Sequence, residues 1–233
     1  AVLVHAQCVQ CDRPGGADID RIKINVALFD MKMTGFQVLE FTGNQFLTFN
    51  VNSARSTGVE IEMFGRLSNY ISANVGATYA DTRYPGDCAE GVAAAAVASA
   101  TLLCGSSLTN APKFTGVVSL TYDGPLNSSG WGLLANLSTN YSSKRRTSSL
   151  PLDDDGLPVP FDYQEAFFKM NARLGLTTPD DRFTFEIWGT NLTNEITRSI
   201  SASTPFRGIA GMRSRLSLID EPRMYGITAR ARF

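Results

Sequence analysis

The stretch RMYGITARARF, residues 223–233, decides how the rest of the chain is read. Tyr225, Ile227, Ala229, Ala231 and Phe233 fall on one face, and Thr228, Arg230 and Arg232 on the other, which is the period of two of a β-strand. A single strand of this kind fits a soluble sandwich, with its apolar face on a core, as well as a sheet whose apolar face meets lipid. The number of such strands upstream and the way they are joined must separate the two.

The alternation recurs backwards along the chain. Residues 182–192 set Phe183, Phe185 and Ile187 against Thr184, Glu186 and Trp188, and residues 167–176 set Phe168, Met170, Ala172 and Leu174 against Lys169, Asn171 and Arg173. Residues 131–141 set Trp131, Leu133, Ala135, Leu137 and Tyr141 against Asn136, Ser138 and Asn140, with an aromatic at each end of the apolar face. Strands follow the same rule over 114–122, 71–79 and 46–66, the last with Val59, Ile61 and Met63 against Glu60 and Glu62. In 22–38 the outward set Ile22, Ile24, Val26 and Leu28 gives way to Phe29, Met31 and Met33, and a one-residue bulge is expected at the change of phase. The total is about eight strands.

The connections are segregated. Turns near 68–69, 123–130 and 179–181 are short, whereas 81–112, 144–162 and 193–222 are long, and only the loop at 42–44 is brief on the long side. Tight turns at one end and long loops at the other mark membrane-spanning β-barrels, and a soluble sandwich has no reason to separate them. Trp131, Tyr141, Tyr79, Tyr122 and Phe233 are then candidates for the aromatic girdles at the membrane interfaces.

Composition narrows the class. The 233 residues are 43% hydrophobic, with a mean hydropathy of -0.06. No run approaches the ~20 apolar residues of a spanning helix, so any crossing of a membrane falls to strands. With 21 basic and 22 acidic residues the net charge is -1, which argues against a nucleic-acid partner. Cys8 and Cys11 form a CxxC accompanied by one histidine, His5, and no second CxxC, so a disulfide or idle thiols are expected rather than a metal site. Cys88 and Cys104 flank an alanine-rich stretch, 92–103, of helix-forming composition. A disulfide clipping this insertion suits an oxidising compartment, and two reduced thiols beside a buried helix suit the same spacing.

Residues 1–20 read as an irregular leader or loop, because a secretory signal's basic start and apolar core are missing and Pro14, Gly15 and Gly16 break regular structure. No catalytic constellation stands out. The one histidine lies in the leader, no glycine-rich phosphate loop follows a strand, and Glu60 and Glu62 lie on an ordinary strand face. The triplet Asp153, Asp154 and Asp155 lacks the spaced ligands of a calcium site.

The segments INVALFDMKMTGFQV (24–38), ARSTGVEIE (54–62), ATYADTRY (77–84), APKFTGVVSLTY (111–122), WGTNLTNE (188–195) and PRMYGITARARF (222–233) occur in an order and at spacings that resemble the C-terminal part of the β-barrel of a TonB-dependent outer-membrane receptor. The strand ending on Phe233 is similar to the closing strand that barrel assembly reads. The resemblance implies an all-β, antiparallel, up-and-down transmembrane barrel of 22 strands around an N-terminal plug. Residues 21–233 would supply about eight C-terminal strands, the plug being absent from this chain. Small polar inward residues such as Ser72, Asn74, Thr78, Ser119 and Ser138 favour a wide lumen over a small closed barrel.

The resemblance further implies bacterial outer-membrane uptake of a scarce solute, a ferric siderophore or similar chelate foremost, with no enzymatic activity and no resident cofactor. Its partners would be outer-membrane lipid and lipopolysaccharide, the plug and remaining strands, and the inner-membrane TonB complex. Lys144, Arg145, Arg146, Arg198, Arg207, Arg213 and Arg215 in the long loops are the candidates for contact with an anionic ligand, contact with lipopolysaccharide phosphates being the alternative. Two other readings stay open. An autonomous small outer-membrane barrel with a structural or adhesive role requires the first strand to pair with the last. A soluble β-barrel or sandwich binding protein requires the face from Trp131 to Tyr141 to be buried in protein.

Overall fold

A computed structural model of the chain describes residues 2–10 as backbone, together with 22–41, 45–149, 159–206 and 214–233. In chain order the elements are β1 (Val2–Gln10), β2 (Ile22–Phe41), β3 (Phe46–Arg66), β4 (Ile71–Arg83), α1 (Val97–Leu103), β5 (Phe114–Pro125), β6 (Gly132–Ser142) and β7 (Arg145–Arg146). They continue with β8 (Tyr163–Gln164), β9 (Phe167–Thr177), β10 (Phe183–Thr190), β11 (Arg198–Ser203), β12 (Arg215–Ile219) and β13 (Met224–Ala231). Nine of them form one sheet in the order β1-β2-β3-β4-β5-β6-β9-β10-β13, and β7-β8 and β11-β12 are separate two-stranded ribbons within the long loops. Every neighbouring pair in the large sheet is antiparallel, so the chain is an up-and-down meander, a partial barrel wall.

Side-chain alternation explains which face meets what. The outward face carries Leu28, Ile61, Leu120, Leu137, Leu174, Phe185, Ile187 and Ile227, all exposed, Ile227 at 84%. Apolar area of this extent in contact with water would be strongly unfavourable, and lipid removes the conflict. The opposite face is polar, with Asn74, Thr78, Ser119, Asn136, Ser138 and Asn171 in register across the strands. The face from Trp131 to Tyr141 is not covered by protein among the described residues, with Leu137 48% and Tyr141 40% exposed. No helix among the described residues is long and apolar enough to cross a membrane.

Two expectations are corrected. The irregular leader over 1–20 begins with a strand: Val2–Gln10 pairs with β2 from Val2↔Asp30 to Gln10↔Lys23. Its sequence lacks a clean alternation, and the free edge of β2, a ladder of unpaired backbone donors and acceptors, decides its conformation instead. Residues 11–20, including Cys11, lie outside the described residues. Second, β2 and β3 keep one register from Ile22↔Gly65 to Phe41↔Phe46, so there is no bulge at Leu28 and Phe29. The register shift falls in β1, between Val4 and Gln7. Phe29, Met31 and Met33 therefore stay on the face of Lys23 and Asn25. The outward face itself turns polar at Asp30, Lys32, Arg55 and Thr57, because the strands have passed the apolar band there.

The brief loop at 42–44 lies outside the described residues. With 20 and 21 residues, β2 and β3 are about twice the ~9–11 needed to cross a bilayer. This hairpin thus projects on the same side as the long loops.

Beyond the band, a small hydrophobic core forms on the loop side from Val38, Phe49, Val51, Ala54, Tyr84, Cys88, Ala96, Ala100 and Leu103. α1 contributes Ala100 and Leu103, and the Tyr84 ring meets Phe36 edge-on at 6.0 Å. Within the sheet, aromatics lie over glycines directly across the ladder. Phe29 covers Gly58, and a Cβ there would stand 2.2 Å from the Tyr79 carbonyl oxygen; Trp188 covers Gly226, leaving 2.2 Å to its ring. Such pairs fix register, since slipping the strands by one residue would bring a side chain beneath the ring. Gly58→Ala is expected to destabilise the full-length protein by about 1–3 kcal/mol, the obstructing atom being backbone. Gly76→Ala should be near neutral, as its added Cβ meets nothing within 4 Å. Denaturant unfolding of both variants in detergent checks the contrast.

Candidate functional site

Two regions gather polar chemistry, the inward wall and the loops. On the wall, Lys23, Asn25, Glu60, Glu62, Asn74, Gly76, Thr78 and Thr115 line a groove of about 540 Å³. Further round, Glu186 is 4% exposed and accepts from Arg230 Nη1 at 3.0 Å, with Arg173 Nη1 at 3.9 Å. Trp188 Nε1 donates to Thr228 Oγ1 at 3.2 Å. Asn136 Nδ2 donates to Ser119 and Thr121 hydroxyls at 3.0 and 2.8 Å. This wall combines short polar side chains with paired charged ones.

The loops hold a denser arrangement. Pro160 opens a 3-10 turn, Pro160–Asp162, with its fixed φ suited to a first helical position. The turn buries Asp162 completely, and Arg215 meets it with Nε donating to Oδ1 at 3.1 Å and Nη2 paired with Oδ2. Around this ion pair, Thr147 N donates to Asp162 O at 2.8 Å, Ser201 N donates to Thr147 O at 3.0 Å, and the Thr147 and Ser201 hydroxyls lie 2.7 Å apart. Arg198 N donates to Gln164 Oε1 at 2.8 Å. These bonds knot the ribbons β7-β8 and β11-β12 together.

The knot brings together five of the seven basic candidates; Arg207 and Arg213 lie outside the described residues. Lys144 pairs with Glu165 at 2.6 Å, both well exposed and of little energetic consequence. Arg145 donates to Ser142 Oγ at 3.1 Å and to the Arg198 carbonyl at 3.4 Å, and stacks 5.3 Å from the Phe167 ring. Arg198 lies 4.6 Å from the Phe161 ring. Arg146 is 3% exposed and donates Nη1 to Ser106 Oγ at 2.9 Å, while its Nε and Nη2 have no hydrogen-bond partner. Burial lowers the pKa of this guanidinium, opposed by the nearby Tyr84 and Tyr163. Burial likewise raises the Tyr84 phenol, opposed by Arg146. Of these five cations, Arg215 and Lys144 meet an acid, Asp162 and Glu165, and Arg145, Arg146 and Arg198 meet none among the described residues.

A disulfide joins Cys88 to Cys104, with Cα atoms 5.3 Å apart, and closes the insertion around α1. Ser106 follows directly and supports Arg146, and Asn110 N donates to the Arg146 carbonyl at 2.8 Å. Cys8 sits on β1. The residues that sequence reasoning missed are Tyr84, Ser106, Asp162 and Tyr163. Of these only Asp162 had a local signal, the Pro160 two positions before it.

Aromatic residues form two outward rows. Tyr79, Phe114, Tyr141 and Phe168 are level across β4, β5, β6 and β9, with Phe114 and Tyr141 rings 5.8 Å apart. Tyr70 and Tyr122, 6.1 Å apart, mark the short-turn end together with Trp131. The rows are about eight residues apart, ~26 Å along a strand and ~20 Å along an axis ~40° from it, near the ~25 Å apolar band of outer-membrane barrels. Phe233 lies past β13 and is fully exposed.

Asp162→Asn would remove the buried carboxylate that Arg215 meets through Nε and Nη2. A loss of about 3 kcal/mol is expected in the loop assembly, read as faster proteolysis within the knot while the sheet stays protected.

Comparison with known proteins gives this geometry a setting. The family model described as TonB dependent receptor-like, beta-barrel matches residues 15–192. The ferric yersiniabactin uptake receptor FyuA from Yersinia pestis superposes with a TM-score of 0.68 at 18% identity, over 94% of this chain and 28% of that one. The ferric-catecholate import receptor Fiu from E. coli K12, closed form, gives 0.58 at 17%, over 91% and 25%. The siderophore receptor PiuA from Acinetobacter baumannii gives 0.59 at 15%, over 89% and 25%. A search of curated proteins found no match. At these identities the likeness is one of fold, and the chain spans about a quarter of the length of those receptors.

Proposed function

The chain belongs to the TonB-dependent receptor β-barrel family, and we propose that it forms one wall of a larger outer-membrane barrel that takes up an anionic chelate, a ferric siderophore or similar solute. Proteins of this family are transporters rather than enzymes. The observation that carries the solute reading is the loop knot. Arg145, Arg146 and Arg198, which meet no acid among the described residues, are held in place by hydrogen bonds and aromatic faces and would attract and orient an anion.

The remainder of the receptor follows from what the sheet leaves open. Among the described residues β1 pairs only with β2, and β13 only with β10. Two free edges in a bilayer would each carry a column of unmet backbone groups costing several kcal/mol apiece, so further strands must take them up. This argues against a small barrel closed on itself. The polar inward wall suits a plug domain, through which the inner-membrane TonB complex would act, and Glu60, Glu62 and Lys23 would face it. The long loops would face outward and the short turns the periplasm. Just beyond the Tyr79 row, the outward pairs Arg55–Asp30 and Arg83–Asp81, both 2.6 Å, and Lys32 stand at the level of lipid headgroups and favour lipopolysaccharide as a lateral contact.

In the full-length receptor, the double variant Arg145→Ala, Arg198→Ala should weaken binding of an anionic ferric chelate at least about tenfold, about 1.4 kcal/mol, without changing the folded yield. Undiminished binding would remove the knot from the solute's path. For the architecture, engineered cysteines at Ile187 and Ile227 should crosslink, whereas Val4 and Ile227 should not; a bridge in the second pair would restore the small closed barrel.

A further inference from the structure

The five described basic candidates carry the same charge, yet their donors are committed very differently. Arg215 is spent on Asp162 and Lys144 on Glu165. Arg146 is paired with no acid among the described residues, although it is more buried than the other four described candidates. Its two unmet donors are not arbitrary. Nε and the Nη2 on its side project parallel N–H bonds from one edge of the guanidinium plane, spaced to meet the two oxygens of a single carboxylate. Elsewhere in this chain the same edge does that. Arg55 Nε and Nη2 donate to Asp30 Oδ1 and Oδ2 at 2.8 and 2.6 Å, and Arg83 Nε and Nη2 both reach the Asp81 carboxylate, at 3.0 and 2.8 Å. In Arg146 the edge is empty.

The side chain is also held still. Nη1 is anchored on Ser106 Oγ, its carbonyl receives Asn110 N, and its backbone pairs with Tyr163. A rigid cationic fork, already desolvated and lacking a partner, is costly to leave unmet and selective for what it accepts. The carboxylate that lies nearest along the ladder, Asp162, cannot serve while Arg215 occupies it.

We infer that the Nε–Nη2 edge of Arg146 is a recognition fork for one carboxylate of the solute, which makes the ligand a carboxylate-bearing ferric chelate rather than a neutral one. This rests on the receptor reading above and narrows it. Neutral oxygen donors would accept a hydrogen bond from either N–H without neutralising the charge. A carboxylate meets both donors and the charge together. The fork is buried in this conformation, and β7, which carries it, is joined to β8 by two residue pairs.

The test uses the full-length receptor purified in detergent, titrated with ferric citrate and, as a neutral comparator, with ferric tris(acetohydroxamate). Ferric citrate should bind the wild type more tightly than the neutral complex. Arg146→Lys, which keeps the charge and loses the fork, should weaken ferric citrate at least about tenfold, or 1.4 kcal/mol, and leave the neutral complex unchanged. Equal binding of ferric citrate by wild type and R146K would overturn the fork, as would a wild-type preference for the neutral complex, and in both cases uptake of a ferric chelate would leave the receptor reading intact. Failure of the wild type to bind or import any ferric chelate would instead defeat the receptor reading. Should R146K not fold, judged by loss of heat-modifiable mobility, Ser106→Ala carries the test. There a weakening of threefold or more supports the anchored fork, and unchanged affinity overturns it.

Discussion

The structure depends on the pairing of backbone groups where no water can pair them. In a hydrocarbon layer each N–H and C=O must find its partner within the protein, and the antiparallel ladder from β1 to β13 supplies this strand by strand. Within the apolar band the sheet carries no buried hydrophobic layer among its described residues. Its apolar side chains face away from the protein, and the one hydrophobic core among the described residues sits above the band, under the loops. Register therefore carries the weight that packing carries in a soluble domain. Aromatic rings over Gly58 and Gly226 hold that register.

With the wall fixed in this way, the loops are free to specialise, and they do so by charge. Inside the barrel wall the acids and bases are arranged so that Glu186 answers Arg230. In the knot one buried acid, Asp162, binds Arg215, Glu165 binds Lys144, and Arg145, Arg146 and Arg198 meet no acid among the described residues. The disulfide from Cys88 to Cys104 and the small core beneath α1 brace that imbalance from the side, through Ser106 and Asn110. A rigid surround makes an uncompensated cation useful, because a flexible one would turn to water.

The strands were legible because their signal is local. Alternation over 182–192 or 71–79 needs only the residues concerned. It misled where the environment changes along a strand: at Asp30 and Lys32 the outward face leaves the apolar band, and the pattern shift looks like a bulge although β2 and β3 stay in register. It failed for β1, whose conformation is imposed by the edge of β2. In the site, the basic residues were visible as a class, whereas Tyr84, Ser106 and Tyr163 carry no mark in the sequence that sets them beside Arg146.

By itself, then, the sequence determined the fold class, the orientation of each strand face and the two-sided distribution of turns and loops, because successive Cβ atoms on a strand point to opposite sides and solvent writes that alternation into the residue types. The tertiary structure alone decided which charges are spent and which are free. The partners concerned lie far apart in the chain, 53 residues between Asp162 and Arg215 and 40 between Ser106 and Arg146, and only the closing of the loops over the barrel wall brings them within a hydrogen bond of each other.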